Sequence, residues 1–171
     1  MQLLNHINFK LIDEKDADFI ILLRGNSAKN KFISKTNISI DHQIDWIRNY
    51  KKREKENHEF YYVIQEQKKN LGLVRLYDFK KNSFCWGSWI IIDEAPIYTA
   101  IESALKVYEI AFYDLNFKQS HFDVRKNNKK VVNFHKKFGA KIINDDEENY
   151  FFTFKKTDYE KVRIKYKKFF R

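Results

Sequence analysis

His135 is the one side chain whose ordinary titration range lies near neutrality and whose setting could give it a proton-moving role. It sits in Val124 to Gly139, reading VRKNNKKVVNFHKKFG. Because it follows Val131 and Val132 on an apolar helix face, a satisfied core histidine is an equally open reading. Cys85 is the single cysteine. It excludes an intrachain disulfide and a cysteine-rich zinc site, and no base can be placed beside it to make a nucleophile. The five histidines show no ligand-like spacing, so no metal is expected. A further chemical feature is the start of a long helix over Ala100 to Leu115, where unpaired N–H groups and the helix dipole favour an anion.

The elements around these groups follow from periodicity. Phe122 and Val124 alternate with Asp123 and Arg125, which predicts a half-buried strand over Ser120 to Val124. Asn128 reads as the N-cap of a short helix carrying Val131, Val132, His135 and Phe138 on one face, and Gly139 as its left-handed terminus. Upstream, Ile97, Ala100, Ile101, Ala104, Leu105, Tyr108, Ala111, Phe112 and Leu115 recur at helical spacing. Thr99 and Glu102 form a candidate capping box there, just after Pro96. Phe9 to Ile12 reads as a strand and Asp16 to Arg24 as a helix, broken at Gly25-Asn26-Ser27. A second helix starts at Ser39 or Asp41 with Ile40, Ile44, Ile47 and Tyr50 as its stripe. Glu59 to Gln65, Leu71 to Phe79 and Phe84 to Ile92 form an antiparallel meander with turns at Lys68-Lys69-Asn70 and Lys80-Lys81-Asn82. Ala140 to Ile143 and Tyr150 to Phe154 make a closing hairpin around Asn144 to Asn149. The strand, helix, strand run from Phe84 to Val124 is a crossover and requires a parallel pair. The expected class is α/β (α+β), a mixed central sheet with helices on both faces, in one domain spanning residues 1–171.

Asn128, the aliphatic pair Val131-Val132, His135 and Lys137-Phe138-Gly139 resemble the fifth strand and fourth helix of the GNAT N-acetyltransferases. The element order is similar from Phe9 to Phe154. The resemblance implies the acyl-CoA N-acyltransferase fold, acetyl-CoA as cofactor, and direct attack of an amine on the thioester without an acyl-enzyme. It places His135 near the coenzyme A sulfur as a general acid. It assigns the cofactor grip to backbone groups of Ile90, Ile91 and Ile92, to Pro96, Ile97, Tyr98, Thr99 and Ala100, and to Asn128, with Gly87 suited to a bulge in the fourth strand. The family's glycine-rich phosphate loop is missing, since Pro96 and Tyr98 stand where two glycines are usual. Either the loop follows another path, with fewer amides on the phosphates, or cofactor binding is weak or lost.

Leu23-Arg24, Asn30 to Asn37 and Trp46-Ile47-Arg48 are similar to segments of bacterial acetyltransferases acting on nucleotide-linked amino sugars, and also to those of ribosomal-protein acetyltransferases. That likeness implies Arg24 and Arg48 as phosphate holders, and Trp46 and Trp89 as acceptor contacts. Asp78, Tyr77 and Glu59 are the candidate bases, not separable by sequence. Tyr108 and Tyr113 read as packing aromatics. The net charge is +10, and Lys155 to Arg171 holds eight basic residues against Asp158 and Glu160. The alternative functions are an N-terminal protein acetyltransferase, implied by the ribosomal-protein likeness, and a non-catalytic module binding a polyanion such as RNA through that basic segment. The expectation adopted is an N-acetyltransferase of surface-polysaccharide synthesis, acting on a nucleotide-linked amino sugar, with no membrane span, a cytoplasmic location, no nucleic acid, and a homodimer left open.

Overall fold

The computed structural model describes residues 2–25 and 39–171. Its strands are β1 (Asn8–Leu11), β2 (Phe60–Glu66), β3 (Lys69–Lys80), β4 (Ser83–Ile91), β5 (Gln119–Arg125), β6 (Lys141–Asp145) and β7 (Asn149–Lys155). They form one sheet in the order β1-β2-β3-β4-β5-β7-β6. Every neighbouring pair is antiparallel except β4 and β5, the pair joined by the crossover helix. Helices α1 (Ala17–Gly25) and α2 (Ile40–Lys55) cover one face, while α3 (Tyr98–Glu109), α4 (Lys129–Phe138) and α5 (Lys156–Lys165) cover the other.

Strand alternation divides the core in two. Tyr61, Val63, Leu73 and Ile90 pack with Ile20, Leu23, Ile47 and Tyr50 from α1 and α2. On the other face, Tyr62, Ile64, Val74, Leu76, Phe84 and Trp86 pack with the apolar stripes of α3 and α4 and with Phe152, Phe154 and Tyr159. Most aromatic rings of this second core contact one another, as Tyr108 does with Phe84, Trp86, Phe112, Phe138 and Phe154. Among the described residues no helix is long and apolar enough to cross a membrane, and no group of three or more His, Cys, Asp or Glu could hold a metal ion.

Several boundaries differ from expectation for local reasons. The β2–β3 turn is Gln67-Lys68, both in the left-handed region at φ 46° and 70°, so β3 starts at Lys69. Those are the angles a two-residue hairpin of this twist requires. The expected capping box at Thr99 and Glu102 does not form. Helix α3 starts at Tyr98 with no side-chain cap. The Glu102 carboxylate, fully buried, instead accepts the backbone N–H groups of His6 and Ile7 and pairs with the His6 ring at 2.5 Å. It therefore ties the N-terminal segment to α3. The last turn of that helix widens into a π-helix over Ile110–Asp114. The α4 reading holds: the Asn128 side chain accepts from Val131 N, and Gly139 adopts φ 110°.

Candidate active site

The feature that organises the site is an early parting of β4 from β5. They pair only at Ser83 with Gln119 and at Phe84 with Ser120. Beyond those two rungs β4 stays bonded to β3 as far as Ile91, and β5 to β7 as far as Arg125. A slot therefore opens from Cys85 and His121 onward, with one face lined by the aromatic α3–α4 core and the other facing α1 and α2.

Two bulges shape the slot's α1–α2 side. From Leu73 to Arg75 on β3, the partners on β4 run from Ile90 back to Gly87, so β4 carries one extra residue. Ser88 sits in that bulge at φ 47°, an angle unusual for a side chain with a Cβ and of a kind that collects at functional sites. Gly87 leaves room there, since a Cβ would lie 3.1 Å from the Tyr77 hydroxyl. The second bulge is on β3, where Tyr77 to Lys80 spans the β4 partners Cys85 to Ser83 and Asp78 takes φ 49°. Its extra residue brings Phe79 onto the α3 side against Phe117, while Tyr77 stays on the α2 side under Arg75.

The candidate residues separate clearly by position. Arg24 reaches the bulge, donating from Nη1 to the Ser88 hydroxyl at 3.3 Å. Arg48 does not: it forks onto Glu14 at 3.0 Å and meets Asp45 on the outer surface of α2. Trp46 has its faces engaged, lying parallel to Tyr50 at 5.7 Å with the Arg53 and Arg75 guanidinium groups each 5.7 Å from its ring. Stacking on a substrate ring, expected of Trp46, is thus replaced by packing between helix and sheet. Trp89 lies on the opposite face, donating to Ser103 Oγ at 3.0 Å and packing on Phe134. The segment Asn30 to Asn37 lies outside the described residues.

Among the candidate bases, Glu59 is buried with both carboxylate oxygens held by Arg53 and Arg75, so it is an internal counter-ion. Burial pushes the Tyr77 hydroxyl above its ordinary range, and pushes the Cys85 thiol up to about 11, which leaves no thiolate at neutral pH. Asp78 accepts from His121 Nε2 at 2.8 Å, and that hydrogen bond, ahead of Lys80 at 3.3 Å, holds its carboxyl below the usual range.

His135 corrects the expectation most sharply. It is 4% exposed, with ring contacts to Phe122 at 4.5 Å, Trp86 at 5.2 Å, Phe134 at 5.5 Å and Phe152 at 5.9 Å. Its Nδ1 is buried without a hydrogen-bond partner. Burial alone lowers its pKa to about 3. An imidazolium acid is not sustained there at neutral pH, because nothing nearby repays the loss of water around the charge.

The cofactor residues also sort themselves. Ile92 N–H is bonded to Leu71 O, and Ile90 pairs with Leu73, so both turn their peptide groups to β3. Alternation directs the peptide groups of Ile91 to the β5 side, across the slot. Pro96 to Ala100 follows an ordinary right-handed path, with none of these residues at positive φ, so glycine is not required. Thr99 N–H is held by Pro96 O, Tyr98 stacks on His6 at 4.1 Å and donates to Glu66 at 2.6 Å, and Ile97 is 98% exposed. The Thr99 hydroxyl is buried with no partner. An uncapped helix start beside an open slot fits a phosphorylated acyl carrier. Asn128 acts as a helix cap through its side-chain oxygen.

Comparison with known proteins agrees with this geometry. None of the curated proteins matches the chain. Among solved structures, the apo form of FdhC, described as a nucleotide-linked sugar GNAT, is 45% identical with a TM-score of 0.91, covering 100% of this chain and 99% of that one. A Vibrio cholerae spermidine N-acetyltransferase in complex with CoA and spermine, at 19% identity and TM-score 0.77, covers 91% of this chain and 98% of its own. A ribosomal-protein-S5-alanine acetyltransferase from Vibrio fischeri, at 13% identity and TM-score 0.77, covers 92% and 97%. The last two show the shared fold. Residues 6–141 match the acetyltransferase (GNAT) domain family, and the chain belongs to it as an N-acetyltransferase that uses acetyl-CoA.

Proposed function

We propose that this enzyme acetylates the primary amine of an amino-deoxy sugar carried on a nucleotide, as a step in surface-polysaccharide synthesis. The 45% identity over the full chain to a nucleotide-linked sugar GNAT supports that acceptor class. The observation that carries the reading is the bulge at Ser88 beside the parted strands, with Arg24 reaching it from α1. Acetyl-CoA supplies the activated acyl group. The chain's part is to hold and orient. The backbone N–H groups at the α3 start grip the carrier by hydrogen bonds that need no particular side chain. Arg24 offers a fixed fork to a phosphate of the nucleotide. The aromatic wall of Trp86, Trp89 and Phe122 keeps water from the acyl side, which strengthens each polar contact made there.

Thermal unfolding with and without acetyl-CoA, followed by a screen of amines for thiol release, tests this. At 100 times its dissociation constant acetyl-CoA should stabilise the fold by about 2.7 kcal/mol. Nucleotide-linked amino sugars should release thiol faster than spermidine or an N-terminal peptide. No thermal shift at saturating acetyl-CoA would sink the cofactor site, and faster turnover of a polyamine or peptide would replace the acceptor class.

A further inference from the structure

The floor of the slot on its α1–α2 side holds a hydrogen-bonded chain that the reading so far does not use. Asp78 on β3, Ser83 on β4 and His121 on β5 come from three adjacent strands. His121 Nε2 is 2.8 Å from Asp78 Oδ2, and His121 Nδ1 is 2.5 Å from Ser83 Oγ. Ser83 is 7% exposed and stands in the first of the two rungs joining β4 to β5; His121 is the first β5 residue past the second rung. The chain therefore lies where the strands begin to part. Asp78 reaches it from the left-handed backbone of a bulge, so a conformational cost is carried at the residue that places this carboxylate. A purely structural contact on a half-exposed strand face needs no such bulge.

We propose that His121 is the proton acceptor for the attacking amine, with Asp78 and Ser83 as its positioning residues. The inference rests on the amine-acetyltransferase reading above. A carboxylate can only accept, so Asp78 fixes the neutral imidazole with its proton on Nε2 and leaves the Nδ1 lone pair as the base. The Ser83 hydroxyl donates to Nδ1 in that state and rotates to accept once Nδ1 is protonated, so one array serves both charge states. The acceptor arrives as an ammonium ion. It loses one proton to Nδ1 across the Ser83 hydroxyl, reached directly or through a single water in the open slot. The freed nitrogen lone pair attacks the thioester carbon, the C–S bond breaks with its electron pair on sulfur, and the amide nitrogen's surplus proton balances the thiolate. Asp78 stabilises the imidazolium until its proton passes to solvent.

Charged and titratable groups face His121 from each neighbouring strand. Lys80 and Tyr77 accompany Asp78 on β3, Cys85 lies on β4, Asp123 two residues along β5, and Lys141 beyond Thr153, where β6 and β7 pair. Lys80 meets Asp78 at 3.3 Å but leaves His121 Nε2 as the closer partner. The other imidazole near the slot, His135, is held neutral in its aromatic cage.

The test is a set of pH–rate profiles with a nucleotide-linked amino sugar, from pH 5.5 to 9.5, for the wild type, His121→Gln, Asp78→Asn and Ser83→Ala, each paired with thermal stabilisation by acetyl-CoA. His121→Gln should lower kcat at pH 7 by about 100-fold, keep its acetyl-CoA stabilisation, and recover as pH rises and the amine deprotonates unaided. Asp78→Asn should lower kcat at neutral pH while keeping its acetyl-CoA stabilisation, because the imidazole loses the carboxylate that fixes its tautomer. A purely structural role for these residues would lower activity at every pH alike. A His121→Gln enzyme with the wild-type profile and intact acetyl-CoA stabilisation overturns the assignment while the transferase reading stands. Absence of stabilisation in the wild type overturns both.

Discussion

Lowering the pH from 8 to 5 should cost the folded protein about 2 kcal/mol through His135 alone. The residue's pKa falls from 6.5 to about 3 on folding, by burial. Above pH 6.5 the imidazole is neutral in both states and contributes no difference. Between 6.5 and about 3 the unfolded chain binds a proton that the native cage refuses, so stability falls as pH falls through that window. At pH 5 the unfolded group lies about 1.5 units below its own value, and at ~1.36 kcal/mol per unit this gives about 2 kcal/mol. Urea unfolding followed by tryptophan fluorescence, at pH 8 and pH 5, would measure it in the wild type and in His135→Leu. Trp86 and Trp89, which border the ring, report directly. The other titrating groups are common to both proteins and cancel in the comparison. At pH 8 the variant should be close to wild type or more stable, because an apolar group replaces a buried nitrogen that has no partner. At pH 5 it should have lost about 2 kcal/mol less than the wild type. Parallel losses would refute the argument and return a protonated His135 to consideration as an acid.

Two further substitutions test the frame of the slot. Gly72→Ala would place a Cβ 2.3 Å from the Ile90 carbonyl oxygen and 3.1 Å from the Ile91 Cα, both backbone atoms that cannot turn aside, so β3 and β4 must separate. A loss of about 3 kcal/mol or more is expected by chemical denaturation. Glu109→Ala removes a fully buried carboxylate that accepts from Gln2 N at 2.7 Å and the Tyr159 hydroxyl at 2.9 Å and faces the Arg163 guanidinium at 2.9 Å. Arg163 keeps only the more distant Glu160 carboxylate, at 4.0 Å, and the Tyr113 hydroxyl at 3.5 Å, so the loss should be about 3 kcal/mol, seen first as faster hydrogen exchange in α5.

What could be read from the chain was what repeats or what a single residue type enforces. The apolar face of α3 through Ala104, Leu105 and Tyr108, the Asn128 cap and the Gly139 terminus each have a local cause, and each is found, whereas Ile97 at the head of the expected stripe is exposed. Helix α5 was not legible: it buries only Tyr159 and Val162 and has no capping side chain at its start. Its partners, Glu109 and Leu105, lie some 50 residues away. The capping box failed for a related reason, since Glu102 found the N-terminal backbone, a partner nearly 100 residues distant. The bulges at Asp78 and Ser88 also left little trace. Only Gly87 hinted at one of them, because the left-handed angles of Asp78 and Ser88 are imposed by long-range strand pairing and not by a residue type that calls for them.

The two histidines beside the slot show why site assignment needed more than residue type. His135 fits the family's sequence pattern and His121 fits none, yet an imidazole works with protons only where its charged form has a counter-ion or water. His135 is enclosed by Trp86, Phe122, Phe134 and Phe152, and the resulting pKa of about 3 keeps it neutral. His121 is attached to a carboxylate and a hydroxyl on a face open to solvent. The parted strands thus have one wall that excludes charge and one that accommodates it. Acyl transfer to an amine requires both, since the thioester must be kept from water while the ammonium ion must be relieved of a proton. The same alternation of β5 that buries Phe122 turns His121 and Asp123 to the other side. A one-residue slip in β5 would exchange the two walls and leave the proton with nowhere to go.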